Sequence, residues 1–489
     1  MRTQKNRGVT VMMVLAFMGI FLFLLGTITS YVFTQGKYGR AIYAREQALN
    51  IAEAGLEYYR WFLAHNPSIM VSGAGLVSPY THVVNDPESG RVGDATITAT
   101  ANLACGAVQW VDLSSKGKSD LTALFQRTLQ ARYMRPSVAE YSALLNANVW
   151  AGADRIISGP YFSNGGIRMD GQHNSTVQSA LATWTCDSSF GCTPTQSKNG
   201  VWGAGSNPAL WSFPASSFNF AGIATNFSAL DTYATSQGIK LNPTNIRVGG
   251  AQQGGTFSSV GGSDQRGFRV VLNSNNTITV YRVTGTSAVY SIHADNLSTW
   301  VSDYHTITSQ TLVGTYTIPA GCPVIYSQAK VWLEGVVGTK VTVIAADTGS
   351  YNPDVILNNN ITYSSGTGSS GLTAIAERSV LIPLVSPDVM TVRGVFVAQS
   401  GYFGRNYYTT SGSRAVPGAY TSYVQQSQLT TIGTVVSNGR IGTQWTCSGT
   451  FCSGYAQRVD TYDRLLAFSP PAFTPAASVD YKLVLWREQ

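Results

Sequence analysis

From Val9 to Phe33 the chain carries no charged residue across 25 positions. As an α-helix with about 1.5 Å rise per residue this run is roughly 37 Å long, enough to cross a hydrocarbon core of about 30 Å with some tilt. A secretory signal has a shorter apolar region with a small-residue cleavage site after it, so the run reads as a spanning helix. Arg2, Lys5 and Arg7 stand before it. That cluster predicts a cytoplasmic N-terminal end and places the remaining 450 or so residues outside the membrane.

The segment that follows, GRAIYAREQALNIAEAGLEYYRWFLAH, predicts that the helix continues past the bilayer. Ala41, Ala44, Ala48, Ile51, Gly55, Tyr58 and Phe62 recur at alternating steps of three and four and so share one face. The first five are the expected helix-packing positions, because small side chains let another backbone come close. Arg45, Glu46, Glu53, Glu57 and Arg60 lie off the stripe, and Pro67 after Asn66 predicts the stop. One rod of about 55 residues is expected, with Gly36 and Gly39 as places where it can bend.

A short basic leader ending in Gly8, an apolar stretch directly after it, and ALNIAEAGLEYY with AEAGL at Ala52–Leu56 together resemble the N-terminus of type IV pilus assembly proteins of the PilX kind, a group of minor pilins with a class III prepilin-like N-terminus. The resemblance implies a prepilin peptidase cut after Gly8, a mature chain beginning at N-methylated Val9, and a helix that first anchors in the membrane and then packs inside a filament. Pilins of this type usually carry Glu at the fifth mature position; here it is Met13, a departure that favours a minor subunit over a major one. The C-terminal run SGYAQRVDTYDRLLAFSPPAFTPAASVDYKLVLWREQ also looks like the ending of large chains of this kind, where a strand and a Pro-rich crossing close the domain.

Charged residues make up only 12% of the 489, aromatics reach 11%, and there are 49 glycines. Few charges with many turn-forming residues suit a β-rich extracytoplasmic protein rather than a disordered one. The net charge of +7 falls to about +4 without the leader. No dense Lys/Arg patch with interleaved aromatics follows residue 65, so no nucleic-acid partner is expected.

RVGDATITAT, AVQWVDLSSKG and LFQRTLQARYMRP read as three strands, with Ala95, Ile97 and Ala99 on one side of the first and Phe125, Leu129 and Tyr133 marking the last. A long helix followed by three strands predicts a small α+β pilin-like head. Beyond residue 140 short β runs such as Val331–Leu333, Val341–Ala345, Asp354–Leu357, Ile361–Tyr363, Ser379–Ile382 and Thr391–Val397 recur with abrupt turns. A sandwich gives similar spacing. A parallel β-helix-like solenoid is preferred, because turns such as LNNNITY lack the Asn-Gly hairpin signal. RGFRVVLNSNNTITVYRVTG predicts a hairpin with Asn273–Asn276 at its tip, inside an antiparallel insertion near 245–315, and SSFNFAGIATNFSALDTYATSQGI a short helix covering one end. SNGGI at 163–167 and SNGRI at 437–441, each followed by a Trp-Thr-Cys run, suggest related turns near the two ends of the solenoid. The expected organisation is a leader over 1–8, the helix over 9–66, the head over 67–138 and a β-rich ectodomain over 139–489.

Cys186/Cys192 and Cys447/Cys452 form two close pairs. A four-thiolate zinc site is the rival reading, but disulfides persist outside the cytoplasm, so two local disulfides and no metal or other cofactor are expected. Cys105 and Cys322 have no assigned partner and read as buried thiols. Catalytic signals are thin. His65, His82, His173, His293 and His305 fall in no metal-ligating spacing. No G-x-S-x-G elbow occurs. Asp170 near His173 reads as a surface turn, and GVWGAG lacks the frame of a phosphate cradle. Glu334, Asp347, Asp354 and Glu377, grouped only by their proximity in sequence, are the candidate carboxylates for a β-helix polysaccharide enzyme, the least favoured reading. The chain is therefore expected to be a structural protein and not an enzyme: a single-pass protein of the inner membrane, then of a surface filament, whose partners are the membrane, prepilin peptidase, other pilin subunits through the helix, and a surface glycan or protein bound by the ectodomain. A tip-like minor pseudopilin of type II secretion and a membrane-anchored adhesin are the alternatives.

Overall fold

The structure, a computed structural model, describes residues 7–88, 90–122, 124–223, 225–253, 266–347, 349 and 351–489. Most of the expected leader lies outside the described residues. Two compact units divide the chain. One is built from the chain up to Asn102, Trp110–Met134 and Leu483–Gln489, and the other from Leu103–Gln109 and Arg135–Lys482.

In the first unit one helix, Arg7–His65, runs unbroken through Gly36 and Gly39. At 59 residues it is about 88 Å long. It stops where Asn66 caps it, with the Asn66 side-chain amide donating to the Phe62 carbonyl at 2.8 Å. Pro67 follows and bars the next turn. A five-stranded sheet has the order Tyr80–Asp86, Gly90–Ala104, Ala107–Ser119, Gln126–Met134, Lys482–Glu488. Ala95, Ile97 and Ala99, and Leu129, Ala131 and Tyr133, alternate inward, as a sheet with one covered face requires. Two strands go beyond the sequence expectation. Tyr80–Asp86 pairs antiparallel with Gly90–Ala104. The C-terminal strand, expected to close the β-rich domain, joins the head sheet instead, and the Gln489 N–H donates to the Thr128 carbonyl at 3.0 Å. Apart from Leu103–Gln109, the second unit is thus inserted in sequence between the fourth and fifth strands of this sheet.

The second unit is a coil of parallel strands, not a sandwich. Val324–Ser327 pairs parallel with Lys340–Ala345, that strand with Gly371–Ala376, and Gly371–Ala376 with Val389–Ala398. Side chains therefore stack in columns. Ile325, Val343, Ala374, Phe396, Val435 and Ala143 stand in register on successive rungs, all buried. Neighbouring rungs are about 4.8 Å apart, so β-branched and aromatic residues fill the column without gaps.

The rungs do not follow sequence order. Ile239–Leu241 begins the stack beside Val324–Ser327. Gln425–Ser437 is followed by Ala143–Leu145, then Tyr161–Ser163, Val177–Ser179 and Trp211–Ser212. The chain enters the coil in its middle, runs to one end, and resumes at the other. This corrects the expectation for the SNGGI and SNGRI turns. They lie not at opposite ends but on either side of one rung, since Leu145 is the register partner of both Ser437 and Ser163. Their asparagines form a ladder: Asn146 donates to Asn438 and Asn164 to Asn146, each at 2.7 Å.

The antiparallel insertion is present in part. Gly267–Asn273 forms a hairpin with Thr277–His293, but its other edge pairs parallel with Lys330–Val337 and so belongs to the coil. Thr277–His293 and Asn296–Thr317 make a second, longer hairpin. The part of the expected insertion at 254–265 lies outside the described residues. The short helix is Phe227–Ser236. It buries Leu230 and Ala234 against Val324, Tyr326 and Ile344, a flank of the coil rather than its end.

Candidate functional site: a helix half docked and half bare

Every side chain from Gly8 to Arg40 is exposed. Val9, Met13, Phe17, Phe21 and Phe33 are each more than half accessible. Burying a large apolar side chain stabilises by about 1.5–3 kcal/mol, so this half of the helix leaves tens of kcal/mol unused in the isolated chain. It is the one helix among the described residues long and apolar enough to cross a membrane. Three of its hydroxyls donate within the helix: Thr27 to the Leu24 carbonyl at 2.8 Å, Thr29 to the Leu25 carbonyl at 2.7 Å and Thr34 to the Ser30 carbonyl at 2.8 Å. An apolar surround demands this, because it offers no other partner.

The other half is docked. Ala44, Ala48, Ile51, Ala52, Leu56, Tyr59 and Leu63 are buried against the head sheet. The contact is close because both surfaces are small. A Cβ at Gly55 would sit 2.6 Å from the Ala95 Cβ, and one at Gly117 would overlap the Ala48 carbonyl and stand 2.5 Å from the Ala52 nitrogen. The backbone that approaches the small-residue stripe is thus the chain's own third strand. Of the expected packing positions, Ala44, Ala48, Ile51 and Gly55 are buried here and Ala41 is at the edge.

The stripe also drifts. Alternating steps of three and four give a period of 3.5, but a straight helix has 3.6 residues per turn and rotates about 20° per heptad against that pattern. By the last two turns the buried residues are Tyr59 and Leu63, not Tyr58 and Phe62. The Tyr59 hydroxyl donates to the Val77 carbonyl at 2.5 Å, and burial raises its pKa. Tyr58 instead stacks on His82 with ring centroids 3.8 Å apart. Sequence reasoning missed the sheet's side of this interface. The signal was the glycines inside strand patterns, Gly93 in RVGDAT and Gly117 in SSKGKS, which mark close backbone approach.

In the second unit, Cys186–Cys192 and Cys447–Cys452 are bonded. Cys105 and Cys322, read from sequence as buried thiols, are bonded to each other across 217 residues. No group of His, Cys, Asp or Glu among the described residues is arranged to hold a metal ion. Asp170 and His173 do not meet. Asp170 accepts from Trp150 and Arg168 at 2.8 Å, while His173 is held between the Ser175 carbonyl and the Trp211 indole N–H. Glu334 pairs with Arg269, and Glu377 accepts the Asp347 N–H at 2.8 Å. Asp354 takes a bidentate pair from Arg378 and lines a cavity with His293 and His305.

No family model and no curated protein matches the chain. Among solved structures it is similar to the competence-associated pilin ComZ from Thermus thermophilus, with 13% identity over 91% of this chain and 98% of that one, and a TM-score of 0.34.

Proposed function

We propose that this chain is a pilin-like structural component of a type IV pilus or a related filament. The observation that carries the reading is the division of the helix: one half fixed to a small sheet, the other bare through Gly8–Arg40 and free of charge from Val9 to Phe33. Such a half is suited first to a bilayer and then to other helices. Arg2, Lys5 and Arg7 would keep the N-terminus cytoplasmic, so that the coil is displayed outside. On this reading the protein is of the minor, PilX-like kind and is processed by a prepilin peptidase to begin at N-methylated Val9. Met13 cannot supply a carboxylate to a neighbour's terminal ammonium, which places the subunit at a tip or an initiating position. The coil makes surface contacts, and the protein catalyses no reaction.

The test is the intact mass of the native protein together with its recovery in sheared surface filaments. A mature chain starting at Val9 and present in the sheared fraction is expected. A chain still starting at Met1 and confined to membranes would reject the filament reading in favour of a plain anchor.

A further inference from the structure

Four successive rungs of the coil present Lys330, Asp354, Ser379 and Tyr402 at the same corner, Lys330 opening its strand and the other three immediately before theirs. The register is fixed by the backbone: the N–H groups of Val331, Val355 and Val380 donate to the carbonyls of Asp354, Ser379 and Tyr402 at 3.0–3.1 Å. The tip half of the long hairpin lies over this column. It is pinned by the Trp332 indole, which donates to the His305 carbonyl at 2.6 Å, and by two backbone hydrogen bonds between Ile292 and Tyr407. Between column and hairpin is a cavity of about 250 Å³.

The cavity is graded. Asp295 and Ser302 are exposed at its mouth, while Asp303, His305, Lys330 and Asp354 are buried in it, none more than 4% accessible. Its buried groups are incompletely used. Asp303 Oδ2 accepts from Tyr408 at 2.6 Å, but Oδ1 has no partner. His305 Nδ1, 3.6 Å from Asp303, and His293 Nε2 also have none. A buried polar atom left without a hydrogen bond costs about 1–3 kcal/mol, so three around one cavity mark a place built to be filled. Burial raises the Asp303 pKa and lowers those of both histidines, so the imidazoles are neutral and can accept as well as donate.

We propose that this cavity binds one neutral, polyhydroxylated ring, a sugar unit either free or at the end of a glycan. Charge selects the class. An anion entering would face three aspartates, and a cation would face Lys330 and Arg378. Hydroxyl groups both donate and accept, and they match a lining that alternates between the two. Size selects a single ring, because the volume lies below the roughly 300–1,000 Å³ of pockets that enclose larger ligands. The proposal deepens the contact role given above to the coil but does not depend on filament assembly.

The test is saturation-transfer NMR and calorimetry on the purified full chain in detergent. The probes are neutral hexoses and N-acetylhexosamines, a trisaccharide ending in each, and putrescine and galacturonate as charged comparators. Binding of at least one neutral sugar is expected. The trisaccharide binding as well as the free ring would mark a glycan end as the source, and the free ring alone a free sugar. Ser302→Trp, which blocks the exposed mouth, and Asp303→Asn should each weaken binding at least ten-fold. Ser302→Trp should leave the thermal unfolding of the protein unchanged, which keeps the test valid if Asp303→Asn fails to fold. No binding of any neutral sugar, equal binding by the Ser302→Trp protein, or preference for a charged comparator would each overturn the proposal. Loss of filament recovery with sugar binding intact would count against the filament reading and not against this site.

Discussion

Gly117 lies so close to Ala48 that a Cβ added to it would overlap the Ala48 carbonyl oxygen. The head sheet and the helix meet backbone to backbone there, and that contact, rather than any large side chain, sets how near they come. Gly117→Val must therefore push the helix from the sheet, and overpacking of this kind costs about 1–3 kcal/mol. Gly39 has nothing within 4 Å of an added Cβ. Gly39→Ala should stabilise the helix by up to about 1 kcal/mol through propensity alone. Thermal unfolding followed by circular dichroism, with hydrogen exchange of residues 44–63 as the local probe, distinguishes the two.

The disulfides should differ in weight. On the chain-entropy model the 217-residue separation of Cys105 and Cys322 corresponds to on the order of 5 kcal/mol, and the six-residue separation of Cys186 and Cys192 to about 2 kcal/mol. Cys105→Ser with Cys322→Ser should lower the melting temperature of the second unit strongly. Cys186→Ser with Cys192→Ser should lower it modestly and expose the loop near Phe190 to protease. Non-reducing peptide mapping should find three bridges, with no zinc by elemental analysis.

His293 and His305 give stability a pH dependence of defined sign. Burial depresses the folded-state pKa of His293, and of His305 more strongly, below the ordinary 6.5. Each contributes stability that is present above 6.5 and lost as pH falls towards its folded value, because the unfolded chain takes up a proton that the fold refuses. Asp303, whose pKa burial raises, acts in the opposite sense, losing stability as pH rises from the carboxylate range to its folded value. As pH falls below 6.5 the two histidines should lower stability, with a slope of at most about 1.4 kcal/mol per pH unit for each, against the opposing contribution of Asp303. His305→Gln should flatten that slope in urea titrations whatever its effect on absolute stability.

The legible parts of this fold were those with a local cause. The charge-free run fixed the bare half of the helix. Strands such as Val341–Ala345 stood out because a coil rung packed on both sides is apolar at nearly every position. Rung order was not legible, since nothing near Leu145 says that Ser437 lies beside it; parallel stacking between distant segments leaves no mark on either sequence. The Cys105–Cys322 bond was hidden for the same reason. The cavity was hidden because His293, Asp303, His305 and Asp354 sit on different elements and form no spaced motif. The helix stripe was read with its end one residue off because a coiled-coil period was applied to a straight helix packed on a sheet.

A photo-crosslinking residue placed at Phe21, in the bare half, tests the account's central claim most directly. In sheared filaments it should form adducts with another pilin subunit, while the same residue at Trp61, beyond the span and exposed, reports the surroundings of the head. Subunit adducts at Phe21 in the filament fraction are the predicted result. Adducts to lipid alone, with the chain absent from that fraction, would contradict the account and leave the helix as an anchor.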